Sequence, residues 1–182
     1  MRSHRCGAIS IENVTAGLAV RYGADPELTL RFAEALDLFW KERHSDAARI
    51  LIPLIEASAR GLLLRLDVAI YRLERGNSSG HFPAMDFYVD KLEALDLDHD
   101  WIRALRVALL SPGSNMRNMR NTAAHGFRFD FGASETAILL RLAGLFCALP
   151  AKVDAAELRD LPPRPLEWLR RRLRRRLGWV WQ

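Results

Sequence analysis

Cysteine is scarce in this sequence, and its two copies form no pattern. Cys6 and Cys147 are too few and too far apart for a metal-binding motif or a disulfide framework. Chains without such frameworks are typical of a reducing compartment. We therefore expect a cytoplasmic protein with no metal site and no cofactor, in which Cys6 is a tail thiol and Cys147 a small buried hydrophobe.

Long apolar runs are also missing. The most apolar segment, 136–149, is shorter than the roughly 20 residues that a membrane-spanning helix needs, and it contains Arg141. The basic residues Arg2, His4 and Arg5 are not followed by the continuous apolar core of a secretory signal. We expect a soluble protein with no transmembrane segment.

Lysine is rare, whereas arginine is abundant. The only lysines are Lys41, Lys91 and Lys152, yet the net charge is +5 and the isoelectric point is about 9.8. Arginine binds phosphate well, which favours a nucleic-acid partner, although a GC-rich genome also produces this bias. With 182 residues, 49% of them hydrophobic, the chain is long enough for one domain with a core.

Helical signals dominate the chain, and no convincing alternating strand pattern competes with them. Asp25-Pro26-Glu27 has the cap, the first-turn proline and the acidic residue of a helix start. Ser45-Asp46 should cap a second helix that runs toward Arg75 and ends at Gly76, with a kink or break at Pro53. The predicted helices are 25–43, 46–75, 83–95, 98–110 and 133–149, with a break at 111–114.

Short connections between amphipathic helices predict an all-α, antiparallel helical bundle. The predicted bundle covers residues 25–150 and follows a poorly determined N-terminal segment, 1–24. Phe127, Phe129 and Phe131 alternate with polar residues, which indicates a short extended connector packed by three aromatic rings.

The C-terminal end has a composition of its own. A proline-containing linker, 151–163, precedes an arginine-rich amphipathic helix, 164–182, whose leucines recur every three or four residues. Three interpretations stay open for this helix: docking on the bundle with a solvated arginine face, an arm that contacts the RNA backbone, and a peripheral membrane helix.

The segment 117–126 contains the residues best suited to chemistry. Arg120 is a permanent cation that fits phosphate oxygens, and His125 can gain or lose a proton near neutral pH. Arg120 and His125 would lie about 140° apart on a straight helix. Either the helix ends within the segment, with Gly126 releasing His125, or the site combines residues from two protomers.

This segment resembles the Arg-x-x-x-x-His motif of HEPN domains, in which a polar residue such as Asn121 directly follows the arginine. The helix around 51–56, followed by Arg60, is similar to the first long helix of a HEPN branch found at the C-terminal end of larger bacterial proteins. The resemblance covers roughly residues 27 to 149, and the chain is either a stand-alone domain or a fragment of a longer protein.

The resemblance implies a homodimeric, metal-independent endoribonuclease that cleaves RNA by internal 2′-hydroxyl attack. Two copies of His125 would act as base and acid, Arg120 would stabilise the charged phosphorane, and Asn121 would orient His125 or a phosphate oxygen. A toxin or phage-defence setting follows by the same resemblance, with an antitoxin or a fused protein as partner. The alternative is a non-catalytic module for dimerisation or for binding nucleotide or RNA.

Three further residues are candidates for substrate binding. Arg117 either contacts RNA or is a solvated charge. Glu56 and Arg60 either form a simple helical ion pair or place Glu56 in the cleft, where it would fix Arg120 or His125. Outside the candidate site we expect solvated histidines and two core tryptophans, namely His44, His81 and His99, and Trp40 and Trp101.

Overall fold

The computed structural model describes residues 10–71, 82–110 and 118–147, and every regular element in these ranges is an α-helix. This confirms the predicted all-α class. The predicted linker 151–163, the arginine-rich helix 164–182 and Arg117 lie outside the described residues. The helices are α1 (Ile11–Tyr22), α2 (Pro26–Trp40), α3 (His44–Arg65), α4 (Met85–Ala94), α5 (His99–Leu109), α6 (Met119–Ala124) and α7 (Ala133–Cys147).

Helix α3 is the centre of the bundle. It packs against α2, α4, α6 and α7, and its apolar side chains are the largest contribution to the core. The short connection 41–43 makes α2 and α3 an antiparallel pair, and the apolar α7 packs against both. The predicted antiparallel bundle is therefore confirmed. Within the described residues, no helix combines the length and the apolar character that crossing a bilayer requires.

The sequence predicts a kink or a break at Pro53, and helix α3 continues through this residue without a break. A proline in a helix leaves the carbonyl four residues earlier without its usual donor. Here both Pro53 and that earlier residue, Arg49, are exposed. Water can therefore satisfy the Arg49 carbonyl, and the helix continues.

The predicted end of this helix near Arg75 is wrong, because α3 ends at Arg65. Asp67 takes the left-handed backbone conformation, with φ of 55°. The Val68 N–H then donates to the Leu63 carbonyl at 3.0 Å, which closes the helix end. Glycine usually occupies this position, so an aspartate there gave no local stop signal.

The same ending recurs in two other helices. Glu42 follows α2 with φ of 60°, and Asp96 follows α4 with φ of 61°. The N–H groups of Arg43 and Leu97 donate back to the carbonyls of Leu38 and Leu92. Helix α2 therefore ends at Trp40 rather than at the predicted Arg43.

The helix starts agree with the sequence in one case and differ in another. The Asp25 carboxylate accepts from the N–H of Glu27 at 2.9 Å, which confirms the predicted cap of α2. Helix α3 instead begins at His44 without a side-chain cap. The expected capping hydroxyl, that of Ser45, accepts from the N–H of Phe131 at 3.0 Å. Ser45 thus holds the connector before α7 rather than the start of α3.

Helix α1 was not predicted. The Ser10 hydroxyl accepts from the N–H of Asn13 at 3.2 Å, and Gly23 ends the helix with φ of 62°. No residue of α1 is buried, although the helix packs on α2. An apolar stripe is thus poorly developed, which is why periodicity did not reveal this helix.

Several expected environments differ from those observed. Trp40, the last residue of α2, is 64% exposed rather than in the core. His44 is half-buried rather than solvated, since its ring packs 5.1 Å from that of Phe39. Trp101 is half-buried against the core and His99 is exposed.

Cys147 matches its prediction as a small buried hydrophobe. It is buried in α7, and burial raises the pKa of its thiol to about 12. A thiol with so high a pKa supplies almost no thiolate near neutral pH, so Cys147 is a poor nucleophile.

Candidate functional site

Arg120 and Asn121 of the motif lie on the six-residue helix α6, whose start is held in place by two residues. At its start, Asn118 accepts from the N–H of Asn121 at 3.0 Å and donates its side-chain amide to the Leu110 carbonyl at 3.2 Å. The next residue, Met119, is completely buried in the core. A cap and an anchor therefore position the short helix beside α5 and α3.

The end of α6 releases His125 from the helix. The helix stops at Ala124, and His125 has φ of −93° and ψ of 6°. Gly126 then takes a φ of 69°, a conformation that favours glycine. The sequence allowed either a helix end within the segment or a site shared by two protomers, and the structure has the helix end. The imidazole of His125 is exposed.

Arg120 is held by two acceptors. Its Nε donates to Glu56 Oε2 at 3.2 Å, and its Nη1 donates to Asn121 Oδ1 at 3.0 Å. The side chains of Arg120 and Glu56 are each 26% exposed. The guanidinium is thus oriented from two sides while part of it stays accessible to a ligand.

Glu56 reaches Arg120 from the middle of α3. Its neighbours Ile55 and Ala59 are buried, so α3 is firmly docked and Glu56 lies at the edge of the core. The structure therefore brings Glu56 together with Arg120, as expected if Glu56 fixes the motif rather than pairing with Arg60 on its own helix. Arg60 is directed elsewhere, since its guanidinium carbon lies 5.2 Å from the ring centroid of Phe82.

Asn121 differs from its expected contact. Its side-chain oxygen accepts from Arg120, whereas its link to His125 is a backbone one, from the His125 N–H to the Asn121 carbonyl at 3.0 Å. The Asn121 side chain therefore orients the arginine, and its expected contact with a phosphate oxygen stays a prediction.

The connector between α6 and α7 is fixed by an ion pair that the sequence did not predict. Arg128 donates to both carboxylate oxygens of Glu135, at 2.7 and 2.6 Å, and its Nε donates to the Asp130 carbonyl at 2.8 Å. Burial raises the pKa of Glu135, but hydrogen bonds from Arg128 and from the N–H of Gly132 outweigh this and lower the pKa below its usual value. The carboxylate is therefore ionised at neutral pH.

Only one of the three connector rings is packed as predicted. Phe131 is buried, and the guanidinium carbon of Arg128 lies 4.9 Å from its ring centroid. Phe127 and Phe129 are exposed, and the ring of Phe127 lies 6.1 Å from that of His125. Aromatic surface thus adjoins the histidine.

Two kinds of residue in this site escaped the sequence analysis. Asn118 carries a recognisable signal, because asparagine is a preferred cap directly before a helix. Arg128 and Glu135 carry none, since they lie seven positions apart across a non-helical connector. Only the path of that connector brings them together.

Among the described residues, no group of three or more histidine, cysteine, aspartate or glutamate side chains is arranged to hold a metal ion. Comparisons of the chain with models of protein families, with curated proteins and with solved structures find no match.

Proposed function

We propose that this protein is a metal-independent endoribonuclease of the HEPN type that works as a homodimer. One observation carries the proposal: Arg120 is held by Glu56 and Asn121 at the start of a short helix, and an exposed His125 stands at the end of the same helix. A fixed cation for phosphate and an accessible imidazole for proton transfer are thus presented by a single six-residue element.

The proposed reaction begins with the 2′-hydroxyl of RNA. The neutral imidazole of one His125 takes the hydroxyl proton, and the 2′-oxygen forms a bond to the adjacent phosphorus. As the bond from phosphorus to the 5′-oxygen breaks, the protonated His125 of the second protomer donates a proton to that oxygen. The products are a 2′,3′-cyclic phosphate and a 5′-hydroxyl, and proton transfers of this kind typically contribute about 10²- to 10⁴-fold in rate.

Arg120 supplies the electrostatic part of the mechanism. Its guanidinium would bind the scissile phosphate and stabilise the charge that grows on the phosphorane. Glu56 and Asn121 already occupy two of its donor positions, so the guanidinium plane is set before RNA arrives. Such preorganisation lowers the cost of reaching the transition state.

One observation favours the alternative, a non-catalytic module for dimerisation or for binding nucleotide or RNA. The Glu56 carboxylate neutralises part of the Arg120 charge and competes with phosphate for the same guanidinium. In such a non-catalytic module, Arg120 would chiefly link α6 to α3, and His125 would be a surface side chain without a catalytic role.

The biological setting follows only from the resemblance to HEPN domains. We propose a cytoplasmic toxin or phage-defence role, in which an antitoxin or a fused protein restrains the ribonuclease.

The test is cleavage of mixed cellular RNA in the presence of EDTA. Wild-type protein should produce 2′,3′-cyclic phosphate and 5′-hydroxyl ends, and His125→Ala should lower the rate at least about 100-fold because the proton-transfer group is gone. Arg120→Ala should lower it similarly. The matched controls are His99→Ala and Arg31→Ala, which change exposed residues of α5 and α2 and should leave the rate unchanged. Wild-type protein that binds RNA but cuts none of a broad panel would favour the alternative.

A further inference from the structure

Two large aromatic rings stand in solvent directly after the motif. Phe127 is 81% exposed and Phe129 is 63% exposed, although each side chain would be stabilised by burial. The third ring of the connector, Phe131, is only 5% exposed. The chain therefore buries one ring of this segment and presents the other two.

The backbone that carries these rings is fixed. The N–H groups of Phe127 and Arg128 both donate to the Thr122 carbonyl, at 2.9 and 3.1 Å. Arg128 is clamped to Glu135 by two hydrogen bonds, and the N–H of Phe131 is bound by the Ser45 hydroxyl. The exposed rings are thus presented from an anchored segment, which limits the entropy lost when a ligand binds them.

One ring lies beside His125 and the other beside the next residue, Gly126. The ring of Phe127 lies 6.1 Å from the imidazole, with an interplanar angle of 46°. The ring of Phe129 lies beside Gly126, since a Cβ placed on that glycine would lie 3.5 Å from Phe129 Cζ. Aromatic surface therefore continues from the imidazole across Gly126.

We propose that Phe127 and Phe129 form an aromatic shelf that stacks an unpaired nucleobase of RNA beside the scissile phosphate. This proposal rests on the proposed ribonuclease function and names its substrate class as single-stranded RNA. Every base has a π-face, so stacking tolerates many sequences. Bases inside a duplex are already stacked on their neighbours, so the shelf selects unpaired nucleotides.

The position of the shelf argues for RNA as its occupant rather than a second copy of the chain. A protein surface that buried both rings would also cover the adjacent imidazole of His125. The proposed reaction requires that this imidazole reach a 2′-hydroxyl or a leaving oxygen. The rings beside His125 must therefore stay open to substrate.

The experiment uses a single-stranded oligonucleotide with 2′-deoxyribose at the cleavage position and 2-aminopurine as the adjacent base. Stacking should quench the 2-aminopurine fluorescence. Phe127→Leu and Phe129→Leu, which keep apolar bulk but lose the π-face, should each weaken binding about 5- to 150-fold. Phe127→Trp should retain the affinity and the quenching. Val20→Ala changes a side chain of α1 that is 88% exposed and should have no effect.

An abasic nucleotide in place of 2-aminopurine should weaken binding to wild-type protein and leave the affinity of the double variant Phe127→Leu, Phe129→Leu unchanged. Binding that is equally tight with and without the base, or in both leucine variants, would overturn the shelf. Leucine variants that no longer form the wild-type dimer in size-exclusion chromatography would also overturn it, since the rings would then hold a second copy.

The outcomes also separate the shelf from the catalytic proposal. His125→Ala should keep base-dependent binding, because it removes no ring of the shelf. If the wild-type protein shows base-dependent binding but cleaves nothing, the shelf is supported and the proposed ribonuclease activity is contradicted. If the protein cleaves RNA but its affinity for the oligonucleotide does not depend on the base, the ribonuclease activity is supported and the shelf is contradicted.

Discussion

At the scale of single residues, Asn118 decides where the motif begins. Its backbone has a φ of 23°, which few residues other than glycine adopt. Asparagine tolerates this region, and its side chain can accept and donate at the same time. The acceptor caps α6 through the N–H of Asn121, and the donor ties the motif to the Leu110 carbonyl at the end of α5.

Asn118→Ala should therefore lower the free energy of unfolding by about 1 kcal/mol or more, since the cap alone is worth about that much. Asn118→Asp keeps the capping oxygen and loses the amide donor, so its loss should be smaller. Asn13→Ala changes an exposed asparagine of α1 and is the control. Urea denaturation measures all three, and equal stability of wild type and Asn118→Ala would contradict the role of the cap.

At the scale of elements, the connector from α6 to α7 depends on the pair Arg128 and Glu135. The segment forms no helix or strand, and its start is held by the N–H groups of Phe127 and Arg128, which donate to the Thr122 carbonyl. Further along, two hydrogen bonds from the Arg128 guanidinium to the Glu135 carboxylate hold it, and the buried Phe131 supplies the apolar anchor. The path of the connector from Arg128 to the start of α7 thus depends on a charged pair.

This pair predicts a pH dependence of stability. The pKa of Glu135 in the folded protein is below the usual value of 4.5. The carboxylate therefore stabilises the fold fully above that value, and its contribution is lost as the pH falls below 4.5. Glu135→Gln should lower the melting temperature at pH 7, and its difference from wild type should shrink in acid.

Glu34→Gln is the matched control for this measurement, because Glu34 pairs with Arg31 on the surface of α2. Exposed pairs of this kind contribute about 0 to 1 kcal/mol, so Glu34→Gln should change the melting temperature little at either pH. A Glu135→Gln difference that grew as the pH fell would contradict the assigned direction of the pKa change.

At the scale of the whole molecule, the described part of the chain supplies one copy of each proposed catalytic group. The reaction needs a base and an acid on opposite sides of the phosphate, and His125 is the only motif residue suited to either role. In the proposed function, a twofold dimer would supply the second imidazole by symmetry. Assembly and activity should therefore be linked.

We predict a dimer by light scattering and a specific activity that falls on dilution below the dimer dissociation constant. Dilution should shift the protein to monomers that each lack a proton-transfer group. Adding His125→Ala protein in excess should lower wild-type activity further, through mixed dimers, whereas adding His99→Ala protein should not. If the protein is a monomer and its specific activity does not change with protein concentration, a site composed of two protomers is contradicted.

Local signals were sufficient for much of the fold. Asp25 and Pro26 mark the start of α2, and the polar breaks around α4 and α5 place those helices within two residues of their observed bounds. These features depend on nearby residues alone, which is why the sequence reveals them. The early end of α3 at Asp67 was missed because its left-handed residue is not a glycine.

By itself, the sequence determined which chemical groups the candidate site contains and that the chain is helical. Arg120, Asn121, His125 and Gly126 lie within ten positions of the sequence. Gly126 indicates that the helix ends near His125, as it does. The tertiary structure alone decided what surrounds them. Glu56 binds Arg120 from 64 positions away, and Phe127 stays exposed while Phe131 is buried. Contacts between distant positions and the burial of a ring depend on which helices pack together, and no local pattern contains that information.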